Sequence, residues 1–249
     1  MTTIDLNCDL GEGAGHDAEL MPLITSSSIA CGVHAGDHAT MIETIDLAAS
    51  AGVSIGAHPG LNDRPGMGRR DLPVSPATAA DLVAVQVGEL VQLAHLRGAK
   101  VTHVKPHGAL YLRAARDYAI ADAIAKAVRS IDPGLALFGL AGGELLRAGR
   151  ARGLRVAAEV FADRTYQPDG SLTPRGSADA LISDEAEAVG QVLRIVQDGI
   201  IRATDGSELQ IAADTICLHG DGPQALAFAW RLRAELAAAG IAVKSFAAG

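Results

Sequence analysis

The chain has 249 residues, of which 49% are hydrophobic, and its formal net charge is -8 at pH 7. This length is ordinary for a single α/β barrel, and the apolar content suffices for one large core, so we expect one domain over residues 1–249. The acidic balance and the absence of a Lys/Arg run disfavour nucleic acid and an anionic membrane as main partners. The start "MTTIDLNCDLGEG" resembles no signal peptide, and we predict no bilayer-spanning stretch and a soluble, cytoplasmic protein.

Short apolar runs alternate with longer segments of helical period along the chain. The predicted strands are "TIDLNC", "SIAC", "VSIGA", "VTHVK", "ALFGL", "LRVAAEV", "DTICL" and "IAVKSF". Helices such as "ATAADLVAVQVGELVQLAHLRG" and "PQALAFAWRLRAELAAAG" lie between them, and a glycine ends most of these helices, at Gly52, Gly98, Gly153 and Gly240. The alternation predicts parallel strands joined by crossover helices. In "IIRATDGSELQIA", the Asp205-Gly206 turn between alternating runs predicts an inserted β-hairpin.

A compact polar cluster follows almost every predicted strand. The clusters are "CDLGEG", "GVHAGDH", "HPGLNDRPGMGRRD", "PHGALY", "FADRTY" and "HGDG". In a (β/α) barrel the carboxyl ends of all strands meet at one rim, where active sites are built. We therefore predict an α/β fold, a (β/α) barrel of seven or eight mainly parallel strands. A doubly wound open sheet is the alternative, and it would also bind ligands at strand ends.

Four histidines occupy corresponding places in the repeated unit. They lie one or two residues beyond a predicted strand and are His34, His58, His107 and His219. A single histidine in such a place is more often structural, but four of them indicate a functional cluster able to move protons near neutral pH. Three cysteines, in contrast, lie in or beside apolar runs without C-x-x-C spacing, which favours small buried thiols: Cys8, Cys31 and Cys217.

Carboxylates accompany the histidines at the predicted rim. Asp9 follows a strand within a glycine turn, which favours a role as base or ligand, and Glu12 and Asp163 belong to the same rim. For Asp37 and Asp221, each before a helix, N-capping or an Asx turn explains the residue equally well. A divalent metal is compatible with Asp9, His34 and His58, although the chain has no H-E-x-x-H or comparable ligand motif.

Cationic side chains complete the predicted rim. Lys105 ends an apolar strand, so its ammonium should point to the rim, where it would hold an anion, polarise a carbonyl or pair with a carboxylate. Arg70 and Arg69 lie in a Gly/Pro loop that would close as a lid, and Arg164 follows the sixth strand. "GLAGGE" is either a phosphate cradle at a helix start or a simple βα turn. The sequence lacks P-loop, dinucleotide-binding and serine-hydrolase motifs.

Six motifs follow one another along the chain: "DLNCDLGEG", "IACGVHAGD", "IGAHPG", "HVKPHGALY", "EVFADRTY" and "HGDGP". Together they closely resemble the LamB/YcsF family, the A subunits of the three-component prokaryotic 5-oxoprolinase. The resemblance covers essentially the whole chain. It implies ATP-dependent opening of 5-oxo-L-proline to L-glutamate, in a complex with B and C subunits, on a fold similar to the seven-stranded glycoside hydrolase/deacetylase barrel. The chain departs from the family in a shorter loop after Gly13 and in Ser28, where an Asn is expected.

The residues and the resemblance together assign candidate roles. Asp9, Lys105 and His107 are the predicted catalytic residues, and ATP is the predicted co-substrate. The residues predicted to bind substrate or phosphate are Glu12, His34, His58, Arg70, Tyr111, Asp163, Arg164 and His219. Two other functions remain open, a metal-dependent deacetylase or amidohydrolase that acts without ATP and a subunit that binds the lactam without catalysis.

Overall fold

Strands and helices alternate along the chain as the periodicity predicts. The computed structural model describes residues 2–218 and 225–247. Within these residues the strands are β1 (Thr3–Leu10), β2 (Ser26–Ala30), β3 (Ser54–His58), β4 (Val101–Val104), β5 (Ala136–Leu140), β6 (Val156–Phe161), β7 (Ile200–Arg202), β8 (Glu208–Gln210), β9 (Thr215–Leu218) and β10 (Ala242–Val243). The α-helices are α1 (Asp17–Leu20), α2 (His38–Ala51), α3 (Pro76–Leu96), α4 (Gly108–Arg116), α5 (Tyr118–Ile131), α6 (Glu144–Ala151), α7 (Glu185–Asp198) and α8 (Ala225–Ala238).

A closed parallel barrel forms the centre of the molecule. In the described part of the chain, its seven strands follow the order β1-β2-β3-β4-β5-β6-β9. Strand β1 is hydrogen-bonded to β2 on one side and to β9 on the other, so the barrel has no free edge. The predicted barrel is therefore confirmed, and the open, doubly wound alternative is excluded.

Two further pairings lie outside the barrel ring. Strand β10 pairs in parallel with the first residues of β1. Strands β7 and β8 pair antiparallel, with the Asp205-Gly206 turn between them, as predicted. Only Ala242 and Val243 of the predicted strand "IAVKSF" pair with β1.

Side-chain caps and glycines set the helix ends. The Asp37 carboxylate accepts a hydrogen bond from the Thr40 amide, so the capping explanation holds for this residue, and Ser75 caps α3 in the same way. The four predicted helix-ending glycines all have φ between 68° and 72°, a left-handed conformation that glycine adopts without strain. These ends determine where each chain segment enters the next barrel strand.

Apolar side chains fill the layer between the barrel and its helices, whereas much of the barrel interior is polar. Along β1, Ile4, Leu6 and Cys8 belong to the apolar core, while the alternate residues Asp5 and Asn7 are buried polar groups. The three predicted buried thiols are free and buried. Because a barrel core usually consists of bulky apolar residues, this polar interior calls for a functional explanation.

Helix α3 is long and apolar enough to cross a membrane by length and composition alone, contrary to the expectation from the sequence. Such a helix is weak evidence for a span, because core helices of barrel proteins pass the same criterion. In the structure, α3 packs against α5 and contributes Val83, Val87 and Leu90 to the core. Packing thus explains the apolar face that α3 buries, whereas Val85 and Leu96 of the same helix are exposed.

Candidate active site

The ammonium group of Lys105 lies inside the barrel near the carboxyl ends of the strands. Its Nζ is 2.8 Å from Asp9 Oδ1 and 2.7 Å from Glu159 Oε1, and the lysine is only 2% exposed. Nζ also donates to Asn7 Oδ1 at 2.8 Å and contacts Cys217 Sγ at 3.2 Å. Burial alone would lower the lysine pKa, but Asp9, Cys217 and Glu159 raise it well above its ordinary value. Lys105 is therefore a permanent cation.

A hydrogen-bonded column continues from Lys105 towards the amino ends of the strands. Asn7 Nδ2 donates to Glu159 Oε1 and to Thr215 Oγ1. The Thr215 hydroxyl donates in turn to Asp5 Oδ2. Burial raises the pKa of Asp5, although its hydroxyl donors oppose the shift. These hydrogen bonds hold the Asn7 and Glu159 side chains in position around the ammonium group.

Asp9 ends β1 at the mouth of the barrel and remains ionised. Burial alone would raise its pKa, but His58 and Lys105 hold it well below its usual range. Its Oδ2 lies 3.3 Å from His58 Nε2. Its Oδ1 lies 2.8 Å from Lys105 Nζ and forms an ion pair with it. An ionised carboxylate at the edge of a cavity is suited to accept a proton from a bound molecule.

Three imidazoles and one carboxylate form a compact cluster beside Asp9. Glu12 Oε1 lies 3.3 Å from His34 Nε2, 3.2 Å from His107 Nδ1 and 3.8 Å from His58 Nε2. The rings of His34 and His107 stack with centroids 3.9 Å apart. One nitrogen or oxygen atom from each of the four residues lies within 4.8 Å of the others, so the cluster could hold a metal ion.

Burial and hydrogen bonds set the charge states in this cluster. Burial lowers the pKa of His34 to about 4, although Glu12 opposes the shift. For Glu12, burial alone would raise the pKa, but its contacts with the His107 and His34 side chains and the nearby His58 bring it far below its usual value. Glu12 is therefore an anion among imidazoles, and His34 is neutral at physiological pH.

Glycines hold the imidazole rings in place by lying against them. A Cβ atom at Gly60 would lie 2.5 Å from His34 Nδ1, and one at Gly68 would lie 2.8 Å from His107 Cδ2. Gly68 also has φ of 65°, which disfavours other residues. The loop after β3 therefore supports two of the rings by direct backbone contact.

A cavity of about 350 Å³ opens over these groups. Asp9, Lys105 and His107 line it, and so do other residues from distant parts of the sequence, among them Glu12, His58, Tyr111, Phe161 and Arg164. Burial and the nearby Glu159 carboxylate raise the pKa of Tyr111 well above its usual value, so its hydroxyl stays protonated. The volume and the mixed lining are typical of a small-molecule site.

Some predicted residues lie away from this cavity. Arg70 pairs with Asp63 and its side chain is 59% exposed, whereas Arg69 of the same loop lines the cavity. Asp163 lies at the end of β6 but does not line the cavity. His219 and Asp221 lie outside the described residues. "GLAGGE" forms a tight βα turn in which Gly143 donates to the Leu140 carbonyl; its phosphate role stays a prediction.

Arg164 combines a place at the cavity with a structural contact. Its Nε and Nη2 donate to the carbonyls of Ala180 and Thr173. These bonds tie the loop after β6 to the rim. Because the residue is 3% exposed, burial lowers its pKa from the ordinary arginine value. An anionic ligand in the cavity would compensate a partly desolvated guanidinium.

The sequence reasoning missed Asn7 and Glu159, both of which contact Lys105. Each lies within an apolar strand, where a charged or amide side chain is costly unless it has a partner. In "VAAEVF", Glu159 is the single acidic residue among apolar ones, and this is the sequence feature that could have identified it. Its partner could not be identified without knowing how the strands are registered around the barrel.

Comparisons with known proteins agree with the fold and the motifs. The LamB/YcsF family model matches residues 4–249. The 5-oxoprolinase A subunit of Tolumonas auensis is 52% identical over 98% of this chain and 100% of its own length. A crystal structure of a lactam utilization protein from Thermus thermophilus has a TM-score of 0.91 and 43% identity, over 98% of this chain and 100% of that chain.

A more distant match concerns the fold alone. The peptidoglycan deacetylase PdaC from Bacillus subtilis superposes with a TM-score of 0.51 at 12% identity, over 98% of this chain and 88% of that one. This likeness agrees with the predicted deacetylase-type barrel. The full-length family match, together with the motif residues gathered at one barrel mouth, leads to a single conclusion: the chain belongs to the LamB/YcsF family.

Proposed function

We propose that this chain is the A subunit of an ATP-dependent 5-oxoprolinase, a hydrolase that opens 5-oxo-L-proline to L-glutamate while ATP becomes ADP and phosphate. The observation that carries the proposal is the convergence of Asp9, Lys105, His107 and Arg164, from three separate family motifs, on one cavity. Full-length relatives that are named as A subunits of 5-oxoprolinase support it. The lactam utilization protein of Thermus thermophilus supports the same substrate class.

The chemistry explains why ATP is needed. A five-membered lactam is a poor electrophile, because nitrogen donates electron density to the carbonyl. Transfer of the γ-phosphoryl group to the carbonyl oxygen breaks the bond to ADP and converts this oxygen into a leaving group. Water then attacks the carbon, the ring C–N bond breaks and the nitrogen takes up a proton, which leaves an acyl phosphate. A second water attacks the same carbon and displaces phosphate, which carries away the original oxygen, so glutamate gains both of its new carboxylate oxygens from water. The site must hold the substrate carboxylate, neutralise phosphate oxygens and activate water.

Asp9 is the best-placed base for this reaction. It is ionised and lines the cavity at the mouth of the barrel. We assign it to take a proton from the attacking water, and His107 to return a proton to the ring nitrogen. Arg164 is assigned to the carboxylate of the substrate or to phosphate oxygens, since its partly desolvated guanidinium lines the same cavity.

The contacts of Lys105 favour a supporting role. An ammonium group has three N–H donors, and four atoms of Asn7, Asp9, Glu159 and Cys217 already lie within 3.2 Å of Nζ. We therefore assign Lys105 to holding Asp9 ionised and oriented. Contact of Lys105 with the lactam carbonyl or with phosphate, as the sequence suggested, would require Nζ to give up one of these partners.

The complete reaction needs partners in this proposal. The relatives carry the name of one subunit of a larger enzyme, which supports a complex, and B and C subunits are the partners we propose. The sequence lacks a recognised phosphate-binding loop, which is consistent with an ATP site shared with a partner. We place the complex in the cytoplasm, where ATP is available.

The test is reconstitution. Glutamate and ADP are measured from 5-oxoproline and ATP with this chain alone and after mixing with the B and C subunits encoded in the same genome. We expect coupled formation of both products in the mixture only. Asp9→Asn in the same mixture should reduce turnover about 10²–10⁴-fold, whereas Asp46→Asn, which removes a surface ion pair with Arg97, should not. A folded, assembled mixture without turnover would overturn the proposal.

A second candidate function is a metal-dependent amidohydrolase that acts without ATP. The observation that favours it is the cluster of Glu12 and three histidines beside the cavity. The same assay separates the two: activity without ATP that chelators abolish would identify the amidohydrolase. Binding of 5-oxoproline without turnover in any mixture would instead identify a subunit that only binds the lactam.

A further inference from the structure

Backbone carbonyls fix the protonation of two imidazoles in the cluster. His58 Nδ1 lies 2.7 Å from the Lys105 carbonyl oxygen, and His107 Nε2 lies 2.7 Å from the Met67 carbonyl oxygen. A carbonyl oxygen only accepts hydrogen bonds, so each of these nitrogens carries a proton. In a neutral imidazole the other nitrogen is then a bare lone pair. His58 Nε2 and His107 Nδ1 are therefore both acceptors.

These two lone pairs face each other. His58 Nε2 and His107 Nδ1 are only 2.8 Å apart, and the carboxylate oxygen Glu12 Oε1 is 3.2 Å from the second of them. Three acceptor atoms at these distances repel one another unless a cation lies among them. The cation is either a proton on one ring or a metal ion. A proton would bridge only one pair of these atoms, whereas a metal ion would accept electron pairs from all three at once.

The arrangement of all four residues fits a metal ion. Four ligands in a tetrahedron with bonds of about 2.1 Å lie about 3.4 Å apart. The contacts of Glu12 Oε1 with the three rings, at 3.2, 3.3 and 3.8 Å, are close to this spacing, whereas the 2.8 Å between His58 Nε2 and His107 Nδ1 is shorter and would lengthen around an ion. A hydrogen bond from the remote ring nitrogen to a carbonyl is also the usual outer contact of a metal-bound histidine. His58 and His107 both have this contact.

We propose that Glu12, His34, His58 and His107 form a binding site for a divalent transition-metal ion of the Zn²⁺ type. Three imidazoles and one carboxylate suit such an ion and suit Mg²⁺ poorly. Asp9, a predicted ligand, lies beside this set, bound to Lys105. The site does not depend on the proposed lactam activity.

The experiment measures metal binding to the full-length chain directly. Protein stripped of metal with a chelator is titrated with Co²⁺, whose visible absorption bands become intense when it is bound tetrahedrally, and Zn²⁺ is then added in competition. We expect one equivalent of Co²⁺ to bind and Zn²⁺ to displace it. His34→Gln and His107→Gln should each weaken Co²⁺ binding by more than about 10–100-fold, because the loss of a hydrogen-bond partner of a ligand already costs this much.

The control is His38→Gln, the same change at a side chain that is 63% exposed and lies outside the cluster. It should bind Co²⁺ as the wild type does. Circular dichroism establishes that each protein is folded; if a histidine variant does not fold, Glu12→Gln, which keeps the size of the more exposed ligand, takes its place. The proposal would be overturned if the folded wild type did not reach saturation with Co²⁺, or if the folded cluster variants bound Co²⁺ as tightly as the wild type. Preference for Mg²⁺ over Zn²⁺ would overturn it too.

Discussion

Replacement of Lys105 by methionine should destabilise the protein strongly and in a pH-dependent way. Lys105→Met keeps the length of the side chain but removes an ammonium group that is 2% exposed and lies 2.8 and 2.7 Å from the Asp9 and Glu159 carboxylates. Removing one partner of a buried ion pair costs about 3–5 kcal/mol, because the remaining charge is left without compensation. We expect the free energy of unfolding at pH 7 to fall by this amount.

The pH dependence follows from the carboxylates left behind. Without the ammonium group, burial raises their pKa values in the folded state above those in the unfolded chain. The folded variant then binds more protons than the unfolded one. Its free energy of unfolding therefore rises as the pH falls from the raised pKa of the folded state towards the lower pKa of the unfolded chain. The difference between variant and wild type should therefore be smaller at pH 5 than at pH 7.

Urea unfolding followed by circular dichroism at the two pH values measures both effects. The double variant Lys105→Met/Glu159→Gln is the matched control, since it removes the ammonium and one of the two carboxylates together. It should recover about 0.5–3 kcal/mol relative to Lys105→Met, the range of coupling between residues in contact. A loss below about 1 kcal/mol, or an equal loss at both pH values, would refute the reasoning.

Three other predictions concern single contacts. Gly60→Ala would bring a Cβ atom to 2.5 Å from His34 Nδ1, so urea unfolding should show a loss of stability of about 1–3 kcal/mol. The control is Gly88→Ala in α3, where the Cβ position is open space, and this change should stabilise the protein by about 0.5–1 kcal/mol. Equal effects of the two changes would contradict the contact at Gly60. His103 is fully buried and burial lowers its pKa to about 3, so this residue should contribute about 1.4 kcal/mol per pH unit to the rise of wild-type stability from pH 3 to 6.5. His103→Leu should reduce the slope by this amount, and parallel slopes for the two proteins would refute the prediction. Arg164→Ala should raise KM for 5-oxoproline and speed proteolysis of the loop after β6, because it removes the bonds to Thr173 and Ala180; unchanged cleavage and KM would contradict both roles.

Much of the fold could be predicted because strand and helix periods differ and because parallel strands place their carboxyl ends together. The boundaries were less accurate where polar residues face the barrel interior. The strand predicted as "SIAC" begins at Ser26, whose hydroxyl donates to the buried Asp5 carboxylate. A serine run has no apolar period, so only its partner on the neighbouring strand β1 shows that it is buried.

The candidate site could be predicted as a set of residues but not as an arrangement. Sequence position placed His34, His58 and His107 at strand ends, and the structure brings them within contact distance. The imidazole N–H groups that orient the rings donate to the carbonyls of Met67 and Lys105, which no side-chain pattern reveals. Arg69 and Arg70 are neighbours in sequence, yet the loop directs only Arg69 to the cavity.

The fate of the lactam oxygen tests the proposed function most directly. The reconstituted complex of this chain with its B and C subunits is supplied with ATP and with 5-oxoproline carrying ¹⁸O in the ring carbonyl, and the products are analysed by mass spectrometry. Phosphoryl transfer to the carbonyl oxygen predicts ¹⁸O in the inorganic phosphate, formed together with glutamate and ADP. Glutamate that retains all of the ¹⁸O, with none in phosphate, would contradict the account and favour hydrolysis of the lactam without phosphorylation.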